Sequence, residues 1–340
     1  MPKEEKTPFF KTDDSLFKYS SDMLIIGTAM LICGVYLNGI TALYQAAVCC
    51  AVAVLSEYVS FKLVLKKNTL GNLSSLCTGL IISLMLPACA PLWLGAMASA
   101  FAVIAAKLPF GGARYAPFVP ACAGVCFVSL CFPEYMFTYA SSASYGLFCT
   151  DEAFTAGTSL LSLLSAGKSV SLNMFGRISL LSGTYPGAIG TTSMLVMLAA
   201  VIYLLIRRPK RLFATCGYVL ACAVFAIIFP RVNSGVFSSA VLELSAGSLM
   251  FTAIMLVNDP VTSPKDSKQA VLYGALSGII CMLLRRYAKI EDPSCFGILI
   301  INALWPVLVR EEKVNAPKKT KRKKIKLSEI SKKSEVSGDA

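Results

Sequence analysis

The chain has 340 residues, 56% of them hydrophobic and 15% charged, with a mean hydropathy of +0.66 and a net charge of +13. A soluble domain needs roughly 25% charged residues to cover its surface, so this composition excludes an ordinary water-soluble fold and points to a membrane. There is no histidine, which excludes histidine-ligated haem and imidazole zinc sites.

In chain order, a polar N-terminal segment (residues 1–21, beginning MPKEEKTPFFKTDD) comes first and has no signal-peptide core. The first apolar stretch is therefore expected to stay as a span. A span needs about 20 mainly apolar residues, and five candidates fill a first half over residues 22–133, near 23–40, 41–61, 73–87, 91–106 and 117–133. The fourth and fifth are separated by KLPFGGARYAPFVPA (107–121), where Gly111 and Gly112 allow close backbone approach, as a re-entrant segment or a turn.

An insert over 134–188 follows, too long for a simple connection. It contains DEAFTAGTSLLSLLSAGKSV and then GRISLLSGTYPGAIGTTS. Few of its side chains can do acid–base work, but it is rich in hydroxyls. A turn at Thr155-Ala156-Gly157-Thr158 would leave backbone N–H groups to face a phosphate, although the same residues also suit a plain loop.

A second half over 189–309 holds five more stretches, near 189–206, 212–230, 235–257, 269–284 and 294–309. Between its third and fourth lies NDPVTSPKD (258–266). Asp259 there sits at the hydrocarbon edge, either as part of an ion path or as a turn-forming helix stop. A basic tail over 310–340 closes the chain.

The expected fold is an all-α polytopic membrane protein of about ten transmembrane helices, with both termini cytoplasmic. That orientation puts 26 of the 32 Lys and Arg inside, and the excess survives removal of the tail. The run KKTKRKKIK (318–326) then reads as a topology determinant or an anionic-lipid contact, not as a nucleic-acid site. Five spans in each half is the arrangement an inverted repeat requires, and LSSLCTGLIISLMLP (73–87) echoes LSAGSLMFTAIMLVNDP (244–260). The 13 cysteines lack CxxC spacing and mostly sit in apolar stretches, as small buried residues do.

Four runs carry a specific resemblance: EYVSFKLVLKKNTLGNLSSLCTGLIISLMLP, DEAFTAGTSLLSLL with GAIGTTSMLVMLAAVIYLLIRR, GSLMFTAIMLVNDPVTSP, and ILIINALWPVLVR. In this order, over about residues 15–310, the chain resembles the D subunits of Rnf complexes, the bacterial ion-translocating ferredoxin:NAD oxidoreductases. That family is shared with the B subunit of the sodium-pumping NADH:quinone reductase.

The resemblance implies a covalent FMN, joined by a phosphoester to Thr158, with Asp151 upstream and Thr155, Ala156 and Gly157 completing the motif. It also implies a second, non-covalent flavin, a flavin transferase for maturation, other membrane and peripheral Rnf subunits as partners, and the bacterial inner membrane as location. The sequence departs from the family in three places. Alanine and glycine are exchanged in Thr-Ala-Gly-Thr. Gly190-Thr191-Thr192-Ser193 lacks the usual glutamate. Val119-Pro120-Ala121 replaces Asn-Pro-Ala, with Arg114 and Ala116 at the preceding glycine and asparagine. The rival readings are a solute channel or transporter of urea-channel-like fold, and a flavin-less structural subunit.

Overall fold

The computed structural model describes residues 16–60, 62, 73–140, 156–166, 174–231, 236–288 and 290–308. Nearly unbroken apolar sequence gives two long helices, α1 (Leu16–Asn38) and α2 (Thr41–Ser60). They are joined at Gly39, whose φ of 82° a larger residue adopts only with strain. Four helices follow: α3 (Ser74–Met85), α4 (Leu92–Ile104), α5 (Pro120–Cys131) and the single turn α6 (Pro133–Met136).

Within the long insert, β1 (Tyr139–Ala140) pairs antiparallel with β2 (Ala156–Gly157), the only strand pairing among the described residues. The helices α7 (Leu160–Ser165) and α8 (Met174–Ser182) come next. The second half holds α9 (Met194–Arg207), α10 (Leu212–Ile228), α11 (Val236–Ser245), α12 (Leu249–Phe251), α13 (Ser267–Tyr287) and α14 (Ser294–Leu308). A π-helical turn over Thr252–Leu256 extends α12. By its internal contacts the chain forms one unit over Met1–Ala303 and another over Leu304–Ala340, of which the last turn of α14 is described.

Among the described residues three helices, α1, α2 and α13, are long and apolar enough to cross a membrane; α11 and α12 with its π-helical turn qualify together as one span bent by 68°. The other apolar helices run 10–17 residues. Each overlaps an expected stretch and is shorter than it. A helix of α3's length rises only about 18 Å, against about 30 Å of hydrocarbon. Short and broken helices expose backbone polar groups that lipid cannot satisfy, and the fold supplies partners for them.

At the end of α3, the segment before α9 caps the open carbonyls: Ile189 N donates to Leu86 O at 3.0 Å and Gly190 N to Leu84 O at 2.8 Å. A Cβ on Gly190 would sit 2.7 Å from the Leu84 side chain, so this approach needs glycine.

At the α11–α12 break the caps come from α13 and the loop after it. Arg285, its side chain 1% exposed, donates to Glu243 O and Ala246 O, both at 2.9 Å. Asp292 accepts from Ser248 N at 2.7 Å. A cation thus meets the carbonyl end of α11 and a carboxylate meets the N–H end of α12, as the helix dipoles favour. Arg231 joins through Glu243 at 3.1 Å.

Close helix packing rests on small residues. A Cβ on Gly274 of α13 would collide with the Ala214 carbonyl of α10, and one on Gly217 would collide with that of Val271. Asp22 of α1 locks the α9–α10 corner, accepting from Arg208 Nε at 2.7 Å and Arg207 Nη2 at 3.2 Å. Lys18, Arg207, Arg208, Lys210, Arg211 and Lys265 line one cavity, while Arg231 and Arg286 bond to backbone at the far ends of α13 and α10.

Candidate functional site

The expected attachment residue, Thr158, lies in an unpaired position between two fixed elements. Ahead of it, Gly157 stands opposite Tyr139 and Ala156 opposite Ala140 in the two-residue ladder. Behind it, Ser159 is the N-cap of α7, accepting from Ser162 N at 3.0 Å. The Ser159 hydroxyl also donates to the Glu291 carboxylate, in the loop before α14. Thr158 itself is exposed while Ser159 is buried. Asp151 and Thr155 lie outside the described residues.

One expectation is corrected here. Thr-Ala-Gly-Thr suits a turn or a plain loop, but its Ala156 and Gly157 are extended in β2. Gly157 is not among the positive-φ glycines, so the left-handed region that favours glycine is not used at this position. The exchange of alanine and glycine therefore falls where either residue fits the backbone.

The short helix α7 anchors the segment by burial. Leu160, Leu161 and Leu164 pack with Leu180 of α8, with Leu242 of α11 and with Ala246 just after it, and Tyr185 packs against them. Tyr185 adds a hydrogen bond from its hydroxyl to Ser245 O at 2.9 Å. The loop bearing Thr158 is thus seated on the broken span, next to the α11–α12 break.

At Ser159 a small cavity, about 30 Å³, is also lined by Tyr139, Tyr185, Ser248, Glu291 and Asp292, among others. The buried Ser248 hydroxyl there has no hydrogen-bond partner among the described residues. Burial pushes the Glu291 carboxyl up from its ordinary value; the Ser159 hydrogen bond opposes that shift and the nearby Asp292 charge adds to it. The arrangement offers an exposed threonine next to a fixed backbone, with the Glu291 carboxylate engaged by Ser159. An exposed threonine whose neighbours on either side are tied down fits a phosphoester at Thr158. Ser159, Ser248, Glu291 and Asp292 escaped the sequence reading, and the Glu-Asp pair ahead of α14 is the one local signal that could have flagged them.

The second sequence-marked residue, Asp259, sits with the NDPVTSP turn at the other end of α12. Its Oδ2 accepts from Val261 N at 3.3 Å, Thr262 N at 3.1 Å and the Thr262 hydroxyl at 3.2 Å. Burial raises its carboxyl above the usual range, against the pull of the Thr262 donors and Arg211. Asn258 alongside donates to Ala253 O at 3.2 Å, Ile254 O at 2.9 Å and the Thr215 hydroxyl at 2.7 Å, closing the π-helical turn. Asp259 also lines a cavity of about 50 Å³ together with Tyr19, Cys77, Thr78, Val119 and Pro120. The turn and the glycine-rich segment, far apart in sequence, therefore meet there.

The chain matches the NQR2, RnfD, RnfE family over residues 3–316. It is 28% identical to the D subunit of the Na(+)-translocating ferredoxin:NAD(+) oxidoreductase complex of Acetobacterium woodii, over 94% of this chain and 96% of the relative. It is equally 28% identical to the D subunit of the proton-translocating ferredoxin:NAD(+) oxidoreductase complex of Clostridium ljungdahlii, over 89% and 92%. The D subunit of the ion-translocating oxidoreductase complex of Cronobacter sakazakii is 26% identical over 86% and 93%. The chain belongs to the NQR2, RnfD, RnfE family.

Proposed function

We propose that this member of the NQR2, RnfD, RnfE family is the membrane redox subunit of an Rnf-type complex, with FMN esterified through its phosphate to Thr158. The observation that carries the proposal is the seating of Thr158, exposed between the β1–β2 ladder and the Ser159 cap. Relatives across nearly the full length, each named as the D subunit of an ion-translocating oxidoreductase complex, support the assignment to a redox machine over a solute channel.

FMN, when bound, supplies electron-transfer chemistry that is the cofactor's own. The chain's residues do the positioning. Thr158 provides the ester oxygen, Ser159 and Glu291 fix the backbone beside it, and the leucines of α7 tie the segment to the broken span. A flavin transferase would reach Thr158 because the residue is exposed. The protein is not catalytic alone; other membrane and peripheral subunits would bind ferredoxin and NAD, for which this sequence has no dinucleotide or ferredoxin motif. The complex would move Na+ or H+ across the inner membrane, and a second, non-covalent flavin belongs to the same reading.

The proposed topology is ten spans with cytoplasmic termini, arranged as two inverted five-helix repeats. Both echo segments, 73–87 and 244–260, hold a short apolar helix that stops before a proline, α3 before Pro87 and α12 with its π-turn before Pro260. The direct test of the function is the purified protein on a denaturing gel after co-expression with a flavin transferase. A band that fluoresces as flavin is expected; a dark band would favour the flavin-less structural reading.

A further inference from the structure

Glu291 stands in the loop before α14, accepts a hydrogen bond from the Ser159 hydroxyl and is half-buried. Its neighbour in sequence, Asp292, is a second carboxylate lining the same cavity. The two are held differently. Asp292 accepts from Ser248 N at 2.7 Å, from the Ser294 hydroxyl at 2.6 Å and from Ser294 N at 3.3 Å, and Arg285 of α13 lies 3.9 Å away. Among the described residues Glu291 has Ser159 alone as a donor and no paired cation. The other groups facing it are Tyr139 of β1, whose buried hydroxyl feels both carboxylates, and Tyr185, whose hydroxyl goes to Ser245 O. Burial raises the Glu291 carboxyl from its ordinary value, and Asp292 adds to the rise. An anchor for Ser159 needs only an acceptor, which a neutral amide supplies. A carboxylate in that place, beside a second one, is the costlier choice.

Its place ties this carboxyl to Thr158. Consecutive Cα atoms lie about 3.8 Å apart, and one short serine side chain spans the rest, so the carboxylate is held within about 10 Å of the Thr158 backbone. That is about one Debye length at ordinary ionic strength, and a half-buried charge is screened less than an exposed one. The contact with Ser159 also survives protonation, because a hydroxyl both donates and accepts. Glu291 keeps enough exposure to trade protons with water. On the reading that Thr158 carries FMN, we propose that Glu291 is the proton-exchanging partner of the flavin. Its carboxylate takes up a proton from water when an electron arrives on FMN, and the carboxylic acid returns that proton when the electron leaves. The electron comes from a reduced carrier of a partner subunit. One O–H bond is made and later broken, and the net charge around the ester stays nearly constant through the cycle.

The test uses the full chain, co-expressed with a flavin transferase and checked for the adduct on the Thr158 peptide. The flavin midpoint potential is then measured spectroelectrochemically from about pH 4 to about pH 8, a range that spans a raised glutamate. Glu291→Gln keeps the acceptor for Ser159 and cannot ionise; Glu134→Gln, an exposed glutamate of α6, is the control. A potential does not depend on how much of the protein is loaded, so a lower flavin content in Glu291→Gln leaves the readout intact. An ionised carboxylate disfavours the incoming electron. The wild-type potential should therefore match that of Glu291→Gln at low pH, fall below it as the carboxyl ionises, and run parallel to it above that range. Glu134→Gln should follow the wild type throughout. In the wild type alone, the reduced-minus-oxidised infrared spectrum should gain a protonated-carboxyl C=O band. A difference between wild type and Glu291→Gln that is constant across pH is what a purely structural role gives, and it would overturn the proposal, as would the absence of that band. A protein without the Thr158 adduct would remove this proposal together with the reading beneath it, whereas an adduct with a constant difference removes this proposal alone.

Discussion

The Ser159 hydroxyl donates to the Glu291 carboxylate, tying the residue after Thr158 to a loop 132 positions further along the chain. Ser159 also caps α7, so one side chain serves both the local helix and the long-range anchor. Ser159→Ala should cost about 1 kcal/mol from the cap alone and loosen the attachment segment. The expected result is a lower flavin occupancy at normal membrane insertion, measured as the ratio of flavin absorbance to protein.

Glu291 gives the same contact a pH signature. Its folded-state carboxyl is raised, first by burial and further by Asp292, so the folded protein holds the proton to higher pH than the unfolded chain does. The unfolded chain binds fewer protons in that window, so stability falls as pH rises from about 4.3, the ordinary glutamate value. Glu291→Gln stays neutral and keeps an acceptor for Ser159. The thermal midpoint of the variant should match wild type at low pH and exceed it increasingly as the pH rises. A constant difference between the two across pH 4–8 would contradict the raised carboxyl.

Arg285 caps a helix break and pairs with Glu243, both buried. Arg285→Gln would leave the buried Glu243 with Arg231 as its remaining cation and two backbone carbonyls short of donors. Breaking such a buried pair should cost at least about 3 kcal/mol, seen as a large fall in thermal midpoint or in yield of inserted protein. A variant as stable as wild type would mean that the α11–α12 break does not depend on this cap.

Asp259 accepts from three donors of its own turn, all of which an asparagine carbonyl can also serve. Asp259→Asn should therefore change stability by less than about 1 kcal/mol and leave ion pumping intact in the assembled complex. Asp259→Leu, lacking any acceptor, should be clearly less stable. Lost pumping in Asp259→Asn, with normal flavin and normal stability, would move the carboxylate onto the ion path.

The apolar helices were legible because about twenty apolar residues in a row have few uses outside a bilayer. Their early ends were not. Whether α3 stops at Met85 depends on Ile189 and Gly190 arriving to cap it, and nothing within residues 73–87 announces that. Arg285 shows the same gap: by charge counting it belongs to an outer loop, yet it is buried at a break whose carbonyls lie some forty residues earlier. At the candidate site, Thr158 was legible through its motif. Glu291 was not, because no local spacing links it to Ser159. Ala156 and Gly157, which suit a turn or a loop by sequence, are extended because Tyr139 and Ala140 offer them a strand partner, again from outside the motif.

The central claim is that Thr158 bears the flavin, and mass spectrometry of the tryptic peptide that contains Thr158 and ends at Lys168 tests it most directly. Thr158→Val keeps the size and branching of the side chain but has no hydroxyl to esterify. After co-expression with a flavin transferase, the wild-type peptide should carry the mass of FMN less water. The Thr158→Val peptide should be unmodified in a protein that still inserts, and Thr155→Val should keep the adduct. An unmodified wild-type peptide, or an adduct that survives in Thr158→Val, would contradict the account.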